Sequence, residues 1–140
     1  SIMSKPIQIS EAAFIGIHAM VLIAGSKEYM NVNIIAERTG ASKNHIAKVM
    51  QTMVKAYYVQ SVRGPSGGFK MKIDPKDITL LDIFESIEGK IHVPECPFGK
   101  EICPFDKCLM NGIFHRLTTE LVDYLKSSTL AENVKVAMSK

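Results

Sequence analysis

Three cysteines lie close together in the second half of the chain. Cys96, Cys103 and Cys108 are the only cysteines among 140 residues, and they share a thirteen-residue window with the spacing C-x6-C-x4-C. An odd number of clustered thiols, in a chain expected to be cytosolic, favours metal or redox chemistry over a disulfide framework. Thiolates are the usual ligands of iron–sulfur clusters, and three of them leave a fourth position open. Such a cluster is easily attacked or lost, which suits a sensor better than an electron carrier.

Two other interpretations of the cysteines remain open from the residues alone. Soft thiolates do not distinguish iron–sulfur from zinc, and a zinc site of three cysteines and a histidine would use the same ligands. Thiols without metal that oxidise to a disulfide would instead form a redox switch. Prolines follow two of the cysteines, and the prolines and glycine of this segment predict a loop over residues 90–107.

Residues typical of an enzyme are absent from the sequence pattern. The four histidines, His18, His45, His92 and His115, lack a recognisable nucleophile arrangement, and no pair of carboxylates stands near a predicted pocket. We therefore expect a binding protein and not an enzyme.

A second group of residues suited to chemistry lies in the stretch YVQSVRGPSGGFKMK, residues 58–72. Apolar residues alternate on either side of Arg63-Gly64-Pro65-Ser66-Gly67-Gly68, and Gly-Pro and Gly-Gly are strong turn signals. The pattern predicts a β-hairpin with a glycine-rich tip. Such a tip would place Arg63 where a guanidinium can enter a DNA minor groove, and its glycine backbone could approach phosphates closely.

Two short helices are predicted directly before this hairpin. Asn33 is the expected cap of a helix over residues 34–39 that Gly40 ends, and Ser42 is the expected cap of a helix over residues 43–55. This is the layout of a helix-turn-helix. In the second helix a buried stripe is expected at Ile46, Val49, Met50 and Met53, which leaves outward Lys43, Asn44, Ala47, Lys48 and Gln51. Lys, Asn and Gln are donors that read base edges or hold phosphates.

The remaining segments supply the helices that must position these residues. An apolar helix is predicted over residues 9–24, capped by Ser10 and ended by Gly25. A capping box formed by Thr79 and Asp82 begins a helix that ends at Gly89. A long helix is predicted over residues 109–126, and a second capping box at residues 129–132 begins a short final helix.

The long helix carries apolar residues at steps of four. This stripe consists of Ile113, Leu117, Leu121 and Leu125, and it could pack on its own domain. Because the predicted winged domain before it already has all its elements, we favour burial against the same helix of a second subunit. The expected fold is mainly α with a small β-hairpin wing. Its predicted parts are a winged helix-turn-helix domain over residues 1–89, a cysteine-rich loop over residues 90–108, and a dimerisation helix with a C-terminal helix over residues 109–140.

Composition is compatible with this organisation. A chain with 46% hydrophobic residues can build one compact domain and an arm, while a net charge of +3 requires any nucleic-acid surface to come from clustered cations. No apolar run approaches the ~20 residues that a membrane span needs, so we expect no membrane association and a cytoplasmic location.

The sequence resembles the Rrf-two family of bacterial winged-helix transcription regulators. The likeness runs from residues 15–20 in the first helix to residues 129–131, and its most specific part is VRGPSGGF at residues 62–69. The resemblance implies a homodimer on double-stranded, pseudo-palindromic operator DNA, with the recognition helix in the major groove and Arg63 in the minor groove. The expected DNA-binding residues are Ser42, Lys43, Asn44, His45, Lys48, Arg63, Gly64, Ser66, Gly67, Gly68 and Lys70.

The resemblance also bears on the cysteine loop. Several branches of the family hold an iron–sulfur cluster on three cysteines in this loop, although spacings that differ by a residue or two leave 2Fe–2S and 4Fe–4S both open here. The function expected is a regulator, more often a repressor, that senses nitric oxide, redox or iron status; the alternative is a zinc or thiol–disulfide switch, or no metal.

A fourth cluster ligand is expected from outside the loop. Some family members place a histidine where this chain has Asn111, and others borrow a carboxylate from the partner's first helix where this chain has Phe14. The same alignment puts His18 at a position where a few members have a ligating histidine, with Glu11 as a reserve on the same helix face. The competing interpretation is that His18 is a structural histidine in the core.

Overall fold

The computed structural model describes residues 9–93 and 103–138. Within them the order is six α-helices, two strands and one short 3-10 helix at Pro75–Asp77. The helices and strands are α1 Glu11–Ala24, α2 Val32–Thr39, α3 Lys43–Lys55, β1 Val59–Val62, β2 Gly68–Met71, α4 Leu80–Glu88, α5 Ile113–Ser127 and α6 Leu130–Met138. The prediction of a mainly α fold with a β-hairpin wing is confirmed. The division at residues 89 and 108 stays a prediction.

Most helix boundaries follow the capping residues in the sequence. Ser10 and Ser42 accept hydrogen bonds from the backbone three residues on, and Thr79 forms the full capping box with Asp82. The predicted cap at Asn33 is wrong. The side chain of Asn31 caps α2 by accepting from Ile34 N at 2.9 Å, because the preceding residue is held in the sheet and the chain turns into the helix there.

The core forms around α1, which packs against α2, α3, α4, α6 and β2. Its buried residues include Ala13, Ala19, Met20 and Ile23. A side chain at Gly16 would collide with the end of Ile87 on α4 and would touch Val49 on α3. The absence of a Cβ at this point therefore lets three helices meet closely, and one of them is the predicted recognition helix.

The wing is attached to the core by a third, very short strand segment. β1 and β2 pair antiparallel from Val59↔Met71 to Val62↔Gly68. Met30 then pairs with Phe69 through two backbone hydrogen bonds, of 2.8 and 3.0 Å. Gly68 adopts φ 138°, and a Cβ there would lie 2.5 Å from the Met30 carbonyl. The wing therefore continues directly from the segment that caps α2.

The turn from α3 into β1 holds a tyrosine in an unusual conformation. Tyr57 has φ 65°, in the left-handed region where a helix of this type normally ends on glycine. The amides of Tyr57 and Tyr58 donate to the carbonyls of Val54 and Met53, which closes the last turn. The Lys72 ammonium lies 5.1 Å from the centre of the Tyr57 ring.

The long helix of the C-terminal part begins later than predicted. Asn111 and Gly112 both have positive φ, of 53° and 68°, which breaks the helix, so α5 starts at Ile113 and not at residue 109. After α5, the turn that leads to α6 pairs with the segment before α4. Leu80 N donates to Ser128 O, and Leu130 N donates to Ile78 O. These bonds hold the start of α6 beside the segment that joins the 3-10 helix to α4, and α6 also packs against α1.

Only part of the apolar stripe of α5 packs in the core of its own chain. Leu125 is 5% exposed and belongs to the core of its own chain, so its predicted place in a contact with a second subunit is wrong. Leu121 also packs against this core, whereas Leu117 is 54% exposed. No helix within residues 9–93 and 103–138 is long and apolar enough to cross a membrane.

Candidate nucleic-acid interface and cysteine site

The second helix of the helix-turn-helix separates its two faces clearly. Ile46, Val49, Met50 and Met53 are buried, as the periodicity predicted. The opposite face is polar, with Lys43, Asn44, Lys48 and Gln51 exposed and Ala47 half-buried. This face offers amide and ammonium donors around one methyl group, which is a combination that suits base edges and phosphates in a major groove.

The N-terminus of α3 is ordered by Ser42. Its Oγ accepts a hydrogen bond from His45 N at 3.1 Å, so the hydroxyl still has its own proton to donate. Ser42 is exposed and His45 is half-buried. Both residues lie at the positive end of the helix dipole, where an anionic group is favoured.

The wing tip extends into solvent. Arg63, Gly64, Pro65 and Ser66 are all exposed. Gly67 is buried because its Cα faces the Val62 carbonyl so closely that a Cβ could not fit, and its amide donates to Gly64 O at 3.0 Å. No Asp or Glu occurs from residue 57 to residue 73, a segment that contains Arg63, Lys70 and Lys72. The hairpin is therefore uniformly cationic.

A polar row crosses the side of the wing sheet that faces away from the core. Gln60 pairs with Lys70 in the hairpin, and Tyr29 extends the row because it precedes the residue paired with Phe69. Gln60 Nε2 donates to Tyr29 Oη at 3.3 Å, and the Lys70 ammonium lies 5.4 Å from the centre of the Tyr29 ring. Sequence reasoning had identified Lys70 but missed Tyr29 and Gln60, because Tyr29 reaches the hairpin only through the tertiary fold.

The cysteine loop is described at its two ends, over residues 90–93 and 103–108. The predicted ligand Cys96 lies outside the described residues; Cys103 is half-buried and Cys108 is exposed. Asn111 N donates to Cys108 O at 3.0 Å, and Arg116 donates to the Asn111 carbonyl, so this end of the loop is tied to the first turn of α5. Among residues 9–93 and 103–138 no three His, Cys, Asp or Glu side chains are grouped to hold a metal.

The thiols that are described suit a soft metal centre. Two accessible cysteines five positions apart, beside a turn that is held by backbone hydrogen bonds, match the thiolate donors of iron–sulfur or zinc sites. The donor set therefore fits the cluster in kind, with Cys96 required to complete it.

His18 lies on the solvent-facing side of α1. It is exposed, so the interpretation of a core histidine is wrong. Its Nδ1 lies 2.7 Å from the Phe14 carbonyl, and the two rings are 6.5 Å apart. A carbonyl only accepts, so Nδ1 carries the proton in this contact and Nε2 keeps its lone pair when the ring is neutral. Glu11 is also exposed on α1.

The model of the Rrf2 family, described as "Iron-dependent Transcriptional regulator", matches residues 9–135. The chain is 34% identical over 84 residues to the putative HTH-type transcriptional regulator BadM of Rhodopseudomonas palustris, which covers 59% of this chain and 54% of BadM. The chain thus spans about half the length of that relative.

A second relative is matched over more of its length. The HTH-type transcriptional regulator NsrR of Bacillus subtilis is 30% identical over 112 residues, which is 78% of this chain and 75% of NsrR. Among solved structures, CymR, the global cysteine regulator of B. subtilis, superposes with a TM-score of 0.76 at 23% identity, over 93% of this chain and 98% of CymR. That last similarity concerns the fold.

Proposed function

Because this chain belongs to the Rrf2 (Rrf-two) family of DNA-binding transcription regulators, we propose that it is a homodimeric repressor whose operator affinity is controlled by an iron–sulfur cluster. Members of the family are regulators, and the chain is not an enzyme. The observation that carries the proposal is that the chain joins two neighbouring thiols, of Cys103 and Cys108, to a winged helix-turn-helix whose wing pairs with the segment before α2. The family description as iron-dependent supports a centre that responds to iron, redox or nitric oxide.

The proposed DNA contacts divide between two grooves. The exposed face of α3, with Lys43, Asn44 and Lys48, enters the major groove, where Ser42 and His45 at its N-terminus approach a phosphate. Arg63 enters the minor groove, and the backbone of the tip passes close to the sugar–phosphate chain. The remaining proposed contacts are Gly64, Ser66, Gly67, Gly68 and Lys70. The Met30–Phe69 pairing supports this arrangement because it holds the wing in a set position relative to α2.

The proposed cluster ligands are the thiolates of Cys96, Cys103 and Cys108, with His18 of a second subunit as the fourth. The cluster, when bound, supplies a centre that changes with nitric oxide, oxidation or iron supply. The bond from His18 to the Phe14 carbonyl would orient the imidazole and present Nε2 to a metal, as the outer hydrogen bond of a metal-binding histidine commonly does.

The position of His18 suggests how the two sites are coupled. His18 is carried by α1, and two residues before it Gly16 lies against Val49 on the buried face of α3. A displacement of α1 by the bound cluster would therefore shift α3, the recognition helix, because the two helices are in direct contact. Loss of the ligand would release α1 and change the spacing of the two recognition helices, which an operator with a defined half-site spacing detects.

The test begins with protein purified without oxygen. A cluster gives brown protein with visible absorbance, together with iron and acid-labile sulfide, whereas a zinc or thiol protein is colourless. We expect His18→Ala to have an altered or short-lived absorbance and to bind DNA independently of cluster state. Lys135→Ala, which truncates an exposed side chain on α6 outside the cysteine loop and α1, is the control.

Three results would contradict parts of this proposal. Colourless protein without iron would remove the cluster, and a spectrum and cluster lifetime unchanged in His18→Ala would remove the fourth ligand. Operator affinity that is the same with and without the cluster would remove its role in control.

The alternative function is a regulator with a zinc or thiol–disulfide switch in the same loop. It is supported by the accessibility of Cys103 and Cys108 and by the fold shared with CymR, whose name describes a cysteine regulator. Metal analysis for zinc, and thiol titration before and after mild oxidation, distinguish the two forms of the alternative from each other and from the cluster.

A further inference from the structure

The row formed by Tyr29, Gln60 and Lys70 has the chemistry of a phosphate contact. Its three side chains offer a hydroxyl, an amide and an ammonium group on one side of the wing sheet. Because Gln60 donates to the Tyr29 oxygen, the tyrosine hydroxyl retains its proton for a further acceptor. The Tyr29 ring also holds the Lys70 ammonium by a cation–π contact, which limits the freedom of that cation before any ligand binds.

We infer that this row binds the backbone phosphates of the operator strand that lies beyond the wing, so that Tyr29 and Gln60 are DNA-binding residues in addition to Lys70. The inference rests on the proposed function, since it requires the wing to enter a minor groove. A hairpin inside a minor groove has one phosphate strand on each side. The DNA strand on the side of the protein core lies between the wing and α3. The other DNA strand faces the row formed by Tyr29, Gln60 and Lys70.

The distances along the hairpin agree with this position. Gln60 and Lys70 pair two residues away from the last pair before the tip, Val62 and Gly68. At ~3.4 Å per residue the row lies ~7 Å from that pair. The minor groove is ~7.5 Å deep, so a hairpin that enters it brings the row to the level of the flanking phosphates.

Charge favours a polyanion as the ligand of this surface. Arg63 at the tip and Lys70 in the row are cationic, and no acidic residue occurs from residue 57 to residue 73. The second cation–π pair of the segment, Tyr57 and Lys72, lies farther from the tip, beyond the end of β2. This pair has the same chemical groups but lies too far from the tip to contact the phosphates beside the groove. It therefore provides a matched control.

The experiment uses full-length protein and a duplex operator selected by the wild-type protein from random-sequence DNA. Tyr29→Phe keeps the ring and removes only the hydroxyl, and we expect operator affinity to fall about fivefold with no change in salt dependence. Lys70→Gln should lower the slope of log affinity against log salt by about 0.9. Tyr57→Phe and Lys72→Gln should bind within twofold of wild type. Gln60→Ala is a second test of the row.

Operators with single methylphosphonate groups locate the contact. On the strand beyond the wing, one neutralised phosphate should abolish the difference between Tyr29→Phe and wild type, while every other position preserves it. Wild-type affinity in Tyr29→Phe and Gln60→Ala, or a loss that persists on every modified operator, would overturn the inference.

The same measurements distinguish this failure from failure of the proposed function. If Arg63→Ala weakens binding while Tyr29→Phe and Gln60→Ala do not, the wing enters the groove but the row is not a contact. If wild-type protein selects no sequence from random DNA, both the operator function and the row contact are overturned.

Discussion

Two glycines of the wing are needed for different physical reasons. Gly64 and Gly68 both have φ above 100°, which side chains rarely adopt. Around Gly64 there is open space, whereas a Cβ on Gly68 would meet the backbone of Met30. The first glycine therefore serves backbone conformation alone, and the second also permits the pairing that attaches the wing.

Substitution by alanine should separate these two roles. We expect Gly64→Ala to lower the free energy of unfolding by about 1–2 kcal/mol, the cost of the backbone conformation. Gly68→Ala should lower it by about 3 kcal/mol or more, because steric overlap with Met30 adds to that cost. Urea unfolding of both variants measures the difference. Equal losses would mean that the contact with Met30 contributes nothing.

Arg63 is expected to act in binding and not in folding. It lies in the exposed tip, so Arg63→Ala should leave the unfolding midpoint unchanged while specific operator binding weakens by ~1–3 kcal/mol. Gel-shift titration gives the affinity, and circular dichroism provides the folding control. An unchanged operator affinity would remove the minor-groove role.

At the scale of elements, α3 presents its cations on one face and its apolar residues on the other. Lys43 and Lys48 are both exposed near the N-terminal half of the helix. If they contact phosphates, Lys43→Gln and Lys48→Gln should each reduce the salt slope of binding by about 0.9 and weaken binding to all sequences. Lys135→Gln, the same change on α6, is the control. A loss limited to one operator sequence with the slope unchanged would indicate base reading instead.

The exit from α4 is the second element with a testable role. The Glu85 carboxylate accepts from Ile91 N at 2.9 Å, and its backbone carbonyl accepts from Gly89 N. Ile91 also packs against the core, so Glu85 holds the start of the segment that leads to the cysteines.

Removal of that acceptor should loosen the segment locally. We expect Glu85→Ala to lower the opening free energy at Ile91 by about 1 kcal/mol, which makes its amide exchange about fivefold faster. Glu85→Gln keeps an acceptor oxygen and should exchange almost as slowly as wild type. Hydrogen exchange followed by NMR measures both, and equal rates in all three proteins would show that the bond does not hold the segment.

At the scale of the whole molecule, the proposed homodimer requires an exposed surface that a second subunit would cover. Leu117 on α5 is 54% exposed and Tyr124, two turns later, is 59% exposed. Exposed apolar residues on one face of a helix are typical of a subunit contact. The predicted stripe is thus replaced by a narrower surface in which Leu117 remains and Leu125 does not.

A charge at the centre of this surface should separate the subunits. We expect Leu117→Glu to be monomeric at micromolar concentration in sedimentation analysis and to lose operator affinity, because one half-site binds far more weakly than two. Tyr57→Glu, at an exposed aromatic residue outside α5, should remain dimeric. A dimeric Leu117→Glu would place the interface elsewhere.

The sequence by itself determined the features that depend on neighbouring residues. The bounds of α3, the capping box of α4, the hairpin turn and the family motif all follow from side chains within a few positions of each other. A cap reaches the backbone only three residues away, and a turn needs only the conformational freedom of its own glycines.

Only the tertiary structure decided the features that join distant segments. The pairing of Met30 with Phe69 moved the cap of α2 from Asn33 to Asn31, and it placed Tyr29 beside Gln60, 31 residues away. Burial of Leu125 likewise depends on which helices surround it. Periodicity shows that a helix has an apolar face but not what covers that face, because the covering residues are brought together only when the whole chain packs.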